Sequence, residues 1–463
     1  MDVIDWLTAA LGGEDAAAPI LSTDAELLDA ARGDKSGWVA EGRPLAIVFA
    51  TEVGHVQATM RAASEFRVGV VPRGAGTGLA GGANGTGGDI VLDVSRMDRI
   101  LEISAEDQLA VVEPGVLNGD LNAALEPYGL FFAPDPASKA ISTIGGNIAT
   151  NAGGLLCAKY GVTREAVLAL DVVLADGRLI RTGHRTVKGV TGYDLTALFV
   201  GSEGTLGVVV GATVRALPIP EGEPRTLGAL FPDVRAGAGA AARITAARLR
   251  PAVMELVDAQ ALARIAEHLG PDTIGDAFGA SAGDAYLLVQ FDGPTAGADA
   301  AAAGRLIEET GGVVRVAADA AEGDRLLAIR RAFHPALAAT GTVLIEDVAV
   351  PRSRMPEMFD AIERISERYS IPIPTVAHAG DGNLHPNFVY TGDEAESAVW
   401  DAANDLFRVA VELGGTLTGE HGVGVLKRRW LADELGPDSY ELQVKLKSVF
   451  DPLGILNPGK VFG

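Results

Sequence analysis

The segment TVAHAGDGNLHPNFVY, residues 375–390, carries two histidines, and TGEHGVG, residues 418–424, carries a third beside a glutamate. Imidazole and carboxylate groups at these spacings could hold a metal ion and move a proton. If Asp381-Gly382 is the two-residue loop of a β-hairpin, then Gly380 faces Asn383, Ala379 faces Leu384 and His378 faces His385. Directly opposed residues share one face, with Cβ atoms about 4.5–5.5 Å apart, so both imidazoles could reach one cation with bonds of about 2.0–2.1 Å. In this register Val376 opposes Asn387, which puts an amide beside the site. Glu420 is the candidate oxygen ligand. His421, freed from strand geometry by Gly419 and Gly422, is the candidate base. Histidines paired across a hairpin can equally decorate a surface, because Asp-Gly turns are common and short motifs match by chance. Three of the four histidines that bear on this question, His378, His385 and His421 but not His334, lie in loop or turn sequence, where functional side chains are displayed.

The elements that must position these groups fall into four stretches. Residues 1–43 read as an N-terminal helical arm, with Leu7, Leu11, Leu21, Leu27 and Leu28 spaced irregularly around Gly and Pro breaks. Residues 44–217 change to short β-branched runs between Gly-rich turns, the pattern of a strand-rich domain. The Pro-marked stretch PIPEGEPRTLGALFPD marks a boundary. From 218 to 413, Ala-rich helical segments near 236–250, 258–269 and 295–310 alternate with strands near AYLLVQFD and GVVRVA, a second α+β domain that contains the hairpin. Residues 414–463 hold the EHG turn, a helix around Asp438–Phe450 and the tail DPLGILNPGKVFG, a segment expected to complete the site.

Gly76, Gly78 and Gly81 formally spell G-x-G-x-x-G, but a dinucleotide fingerprint must open a helix. Here a further Gly-rich stretch and a strand follow, so context rejects that reading. Pro72 to Gly82 still hold five glycines in eleven residues, with one Arg and one Thr. Such a loop can turn successive N–H groups inward around a pyrophosphate. A second cluster, Pro134 to Gly154, offers Ser138, Thr143, Asn147, Thr150 and Asn151 amid glycines, neutral groups suited to an uncharged heterocycle and ribityl chain. A third segment places the turn Glu203-Gly204-Thr205 before a strand. Three such loops in one domain imply one extended cofactor, although each could be only a tight turn.

Composition narrows the function classes. The chain has 463 residues, 48% hydrophobic and 21% charged, the balance of a globular protein too long for one core. A formal net charge of −23 opposes nucleic-acid binding and polybasic membrane docking. No apolar run approaches the roughly 20 residues that span a bilayer. The acidic start lacks the basic region of a signal peptide, so the expected location is cytoplasmic, at most peripheral at the inner face of a membrane. A single cysteine, Cys157, allows no intramolecular disulfide and no iron–sulfur cluster within this chain; packing is its expected role.

At these residues the chain resembles the vanillyl-alcohol-oxidase (PCMH-type) flavoproteins, and within them the D-2-hydroxyacid dehydrogenase group of D-lactate dehydrogenases, glycolate oxidase catalytic subunits and D-2-hydroxyglutarate dehydrogenases. PRGAGTGLAGG, PDPASKAISTIGGNIATNAGG, GSEGTLG, HAGDGNLHPN, GEHGVG and LNPGKVF occur in the family's order over roughly residues 40–463. The resemblance implies an α+β fold, a two-subdomain PCMH-type FAD-binding domain with an α+β cap for substrate and a C-terminal helical segment. It implies FAD contacts at Pro72, Arg73, Gly74, Ala75, Gly76, Thr77, Gly78, Pro134, Ser138, Thr143, Gly145, Gly146, Asn147, Thr150, Asn151, Gly153, Glu203, Gly207, Val209 and Asn457. Arg73 to Thr77 lack the histidine that related oxidases attach to flavin, so the FAD is expected to be noncovalent. His378, His385 and Glu420 stand at the divalent-metal positions, with Zn expected and Mn or Fe as alternatives. His421 stands at the base, and Asn387, Arg330 and His334 at substrate positions. His334 replaces a Thr of the hydroxyglutarate enzymes and Ile345 replaces their lysine, which shifts weight to D-lactate, glycolate or another monoacid. The implied reaction is oxidation of a D-2-hydroxy acid, with proton abstraction by His421, hydride transfer to flavin and reoxidation by a quinone, cytochrome, electron-transfer flavoprotein or Fe–S subunit. The alternatives are D-2-hydroxyglutarate oxidation and a non-catalytic flavin-binding subunit; homodimerisation stays open.

Overall fold

The computed structural model describes residues 1–11, 19–270, 274, 278, 283–392, 395 and 397–462. The chain folds as a mixture of helix and sheet and divides into two compact units. One comprises Met1–Gly154, Gly161–Ile219 and Glu420–Gly463, and the other Leu155–Tyr160 and Pro220–Gly419.

The first unit contains two main sheets. Strands Ala46–Phe49, Ile90–Asp93 and Val70–Arg73 run parallel, and the short strand Leu21–Ser22 pairs antiparallel with the first of them. The two inner strands, Ala46–Phe49 and Ile90–Asp93, are apolar up to Asp93, as expected where both faces of a parallel sheet are covered. The stretch before residue 44 therefore supplies a strand as well as the helices Val3–Leu11 and Ala25–Ala30. Helix Val53–Phe66 buries Val56, Met60 and Ala63 and ends at Arg67 with φ 56°, and the tail returns to this sheet where Ile455 accepts from the backbone N–H of Val70. The second sheet is antiparallel, in the order Ile100–Ser104, Leu109–Val112, Val208–Arg215, Val167–Val173 and Leu179–Gly183.

The second unit is built on an antiparallel sheet. Its order is Val313–Val316, Arg225–Phe231, Ala285–Phe291, Val253–Val257, Thr375–His378, Asn383–Tyr390 and Thr342–Ile345, with Val348–Ala349 also paired to Asn383–Tyr390. Helices Val234–Ala246, Ala259–Leu269 and Ala320–Arg331 begin at Asp233, Asp258 and Asp319, whose carboxylates accept backbone N–H groups left unpaired at a helix start. The first of them stops at Ala246, four residues short of the expected end. Leu155 and Leu156 pack on the core around Tyr286, Leu288 and Phe333, and Lys159 and Tyr160 both bind Asp292. These contacts draw residues 155–160 out of the 44–217 stretch into the second unit.

Near the C terminus, the helical run Leu431–Phe450 is interrupted at Gly436, with φ 72° and ψ 163°, and restarts at Pro437, a residue suited to a first helical position. No described helix is long and apolar enough to cross a membrane.

Candidate active site

The first unit holds a cavity of about 400 Å³. Its wall brings together all three Gly-rich segments, from Pro72 to Gly78, from Ser138 to Gly153, and Glu203 with Gly207 and Val209, together with Glu420 and His421. No helix follows Gly76 to Gly81, and the chain runs instead to strand Ile90–Asp93. A short helix, Ile144–Thr150, does form inside the second cluster, where only loop was expected. Thr143 caps it, its hydroxyl accepting from Gly146 N at 3.2 Å. A Cβ on Gly74 would lie 2.4 Å from that hydroxyl, and one on Gly145 would lie 2.6 Å from Pro114 Cβ. These glycines therefore serve close approach of the chain to itself as well as leaving the wall bare. Asn147 Nδ2 is buried without a hydrogen-bond partner, an available donor in the wall. A flavin heterocycle, rich in acceptors, fits that wall.

Arg73 does not point a free cation at the cavity. Its guanidinium donates to the carbonyls of Ala83 and Gly33, both at 2.9 Å, and burial lowers its pKa. Three expected cofactor contacts are absent from the cavity wall and have other partners. Pro134 accepts from Asn118 Nδ2 through its carbonyl, Asn151 ends the short helix at φ 52° and accepts from Arg164 N, and Asn457 donates to the carbonyls of Gly82 and Glu203.

Glu203 braces the loop that carries the candidate base. Buried, with φ 50°, it accepts from Val423 N at 2.7 Å and Gly424 N at 2.9 Å. Burial pushes its pKa up to about 7 against the lowering effect of those two N–H groups and of Lys427. His421 Nε2 lies 3.8 Å from Glu420 Oε1.

In the second unit the hairpin forms, but its register differs from the expected one. His378 pairs with Asn383 and Val376 with His385, so the loop is Ala379-Gly380-Asp381-Gly382 rather than Asp381-Gly382 alone. Two N–H groups, of Asp381 and Gly382, turn back onto the His378 carbonyl and close that longer loop. Each partner moves by two residues, and because side chains alternate with a period of two, His378 and His385 stay on one face as diagonal neighbours. Their ring centroids are 5.0 Å apart at 83°. Asn387 lies opposite Ile345 rather than Val376. It is fully buried, its Nδ2 donates to the His385 carbonyl at 2.7 Å, and its Oδ1 has no partner.

Glu255 is the site residue that the motifs missed. It sits directly opposite His378 across strands Val253–Val257 and Thr375–His378. Its Oε1 is 2.6 Å from His378 Nδ1 and its Oε2 accepts from Arg330 Nε at 2.9 Å. A signal was present, since one acid in the apolar run VMELV must find partners once buried. Asp347, likewise buried in an apolar stretch, accepts from Gly419 N at 2.7 Å and Thr418 Oγ1 at 3.2 Å. A Cβ on Gly419 would lie 2.4 Å from Asn383 Oδ1, so this glycine packs on the residue facing His378. His334 does not continue the helix of Arg330. That helix ends at Arg331, Ala332 interrupts it, and His334 is exposed in the following helix Phe333–Ala338.

Residues 222–461 match the family described as FAD linked oxidases, C-terminal domain, and residues 44–183 match the FAD binding domain. The chain belongs to the FAD-linked oxidases. This FAD-linked oxidase is 43% identical over 431 residues to the glycolate oxidase subunit GlcD of Bacillus subtilis, covering 91% of this chain and 90% of that protein. It is 36% identical over 408 residues to a D-lactate dehydrogenase of Archaeoglobus fulgidus, covering 88% of each. Its fold is shared with p-cresol methylhydroxylase, at a TM-score of 0.78 and 18% identity over 99% of this chain and 96% of that one. The PCMH-type fold expected from the motifs is thus the fold of this oxidoreductase.

Proposed function

We propose that this FAD-linked oxidase converts a small D-2-hydroxy acid with one carboxylate, of the D-lactate or glycolate kind, to the 2-oxo acid and passes the electrons to an external acceptor. The observation that carries this reading is the buried hairpin face on which His378, His385 and the unpartnered Asn387 Oδ1 lie together. Its support from relatives is that the Bacillus subtilis and Archaeoglobus fulgidus proteins are named for glycolate and D-lactate.

Bound FAD would supply the acceptor for a hydride from the substrate's Cα. A divalent ion, Zn²⁺ by its ligands with Mn²⁺ or Fe²⁺ as alternatives, would lower the pKa of the substrate hydroxyl. His378 and His385 would hold it through ring nitrogens. Glu420, the residue after the Gly419 that packs on Asn383, would add an oxygen. His421 takes the hydroxyl proton on a ring nitrogen, and Asn387 borders the substrate position beside His385. Arg330 orients the carboxylate. His334, exposed, has no part in this reading.

The test is anaerobic addition of D-lactate, glycolate and a five-carbon 2-hydroxy diacid to the FAD-loaded protein. Bleaching of the flavin by a monoacid is expected. An unbleached flavin across the whole panel would assign the chain a flavin-carrying, non-catalytic role in a larger complex.

A further inference from the structure

We propose that Glu255 is a positioning residue which fixes the ligand face of His378, commits Arg330, and so restricts this oxidase to 2-hydroxy acids with a single carboxylate. The proposal rests on the hydroxy-acid reading above and deepens it.

Glu255 has no exposed surface, and its two oxygens serve two different groups. One meets His378 Nδ1 at 2.6 Å and the other accepts from Arg330 Nε at 2.9 Å, in an ion pair whose side chains are 0% and 9% exposed. A carboxylate on Nδ1 holds the proton there and leaves the lone pair of Nε2 for a metal, which also raises the basicity of that ligand. The same carboxylate ties down the rotation of the imidazole, which packs edge-on against His385.

The consequence for substrate follows from where this puts Arg330. Only one carboxylate group separates its guanidinium from the imidazole of His378. With Nε committed, its terminal amino groups are what it can offer a ligand, and the shared Glu255 carboxylate sets Arg330 on the same side as an acid held at His378. The carboxylate next to the reacting hydroxyl is the one that lies there. A second carboxylate, three carbons away, would need another cation. Arg330 is already taken up by Glu255 and the first carboxylate, and Ile345, opposite Asn387, brings no charge. Burying an uncompensated carboxylate is strongly unfavourable, so a diacid is rejected.

Glu255→Gln tests this in the FAD-loaded protein. The amide can accept one of the two hydrogen bonds but not both, and it releases the charge of Arg330. Two quantities are read: Zn²⁺ affinity of metal-stripped protein by chelator competition, and the ratio of flavin-bleaching efficiencies for D-lactate and the five-carbon diacid. The expected result is Zn²⁺ binding weaker by about 10–100-fold, as for other residues that back a metal ligand, with the preference for the monoacid reduced. Wild-type Zn²⁺ affinity, or an unchanged substrate ratio, would overturn the proposal. If Glu255→Gln does not fold, Arg330→Met is the second variant. It should keep Zn²⁺ affinity while raising KM for D-lactate by about tenfold or more, the effect of losing a charged hydrogen bond; a wild-type KM overturns the proposal. If wild-type protein bleaches with no 2-hydroxy acid, the functional reading fails, whereas the Zn²⁺ measurement still decides the role of Glu255.

Discussion

The carboxylate of Glu203 accepts a hydrogen bond from the backbone of Val423 at 2.7 Å, joining the GSEGTLG turn to the EHGVG loop two residues beyond His421. A second bond, from Gly424 N at 2.9 Å, makes the attachment two-pointed. Glutamine can satisfy one of these N–H groups through its oxygen, but its amide nitrogen cannot accept the other. Glu203→Gln should therefore loosen the loop and lower turnover by about 10–100-fold, the scale of a small misplacement of a reacting group, with FAD retained. Turnover and flavin absorbance of the purified variant would check this, and full turnover would release Glu203 from a positioning role.

Burial also raises Glu203 and Asp258 to about 7. A carboxyl raised in the folded chain stays neutral while its unfolded counterpart ionises, so its stabilising contribution is complete below the unfolded value and is lost as pH rises through about 7. Stability from these two groups should decline from about pH 3.8 for Asp258 and about pH 4.5 for Glu203 up to about pH 7. Urea midpoints across that range should fall less steeply in Glu203→Gln. An identical slope in the variant would show that Glu203 does not titrate there.

Gly74 is fixed by its neighbour rather than by its own backbone. Because a Cβ there would stand 2.4 Å from Thr143 Oγ1, Gly74→Ala should cost about 1–3 kcal/mol, the usual penalty for overpacking. Thr143→Ala alone should cost about 1 kcal/mol through loss of its helix cap. Together the two changes should cost less than their sum, because the second removes the atom that the first strikes. A double-mutant cycle of thermal midpoints measures this, and strict additivity would refute the contact.

His421 and His378 should separate in their effects. His421→Ala should retain FAD and metal and lose about 10²–10⁴-fold in turnover, the range for a general base. His378→Ala should lose metal and turnover together. Elemental content measured beside single-turnover flavin reduction distinguishes them, and a fully active His421→Ala enzyme would exclude the base assignment.

Much of this was legible because it is local. Asp-Gly within alternating residues marked the hairpin, and its period of two kept His378 and His385 on one face even though the true loop is longer by two residues. The Gly-rich segments were recognisable as cavity wall by composition, and the absence of a following helix was legible in the next residues. The setting of His334 was not legible, since the helix of Arg330 breaks at Ala332 and His334 stands exposed in the next one.

The sequence by itself determined the family, the three loops of the cavity and the imidazoles of the hairpin, because each is written in residues close together in the chain. Only the tertiary structure decided what stands behind them. Glu255 lies 123 residues from His378 and 75 from Arg330, and Glu203 lies 220 from Val423. Such partners meet through the order of strands in a sheet and the return of the C-terminal segment, and short-range periodicity carries no record of either. A buried acid announces in the sequence that it needs a partner; the fold alone chooses which one.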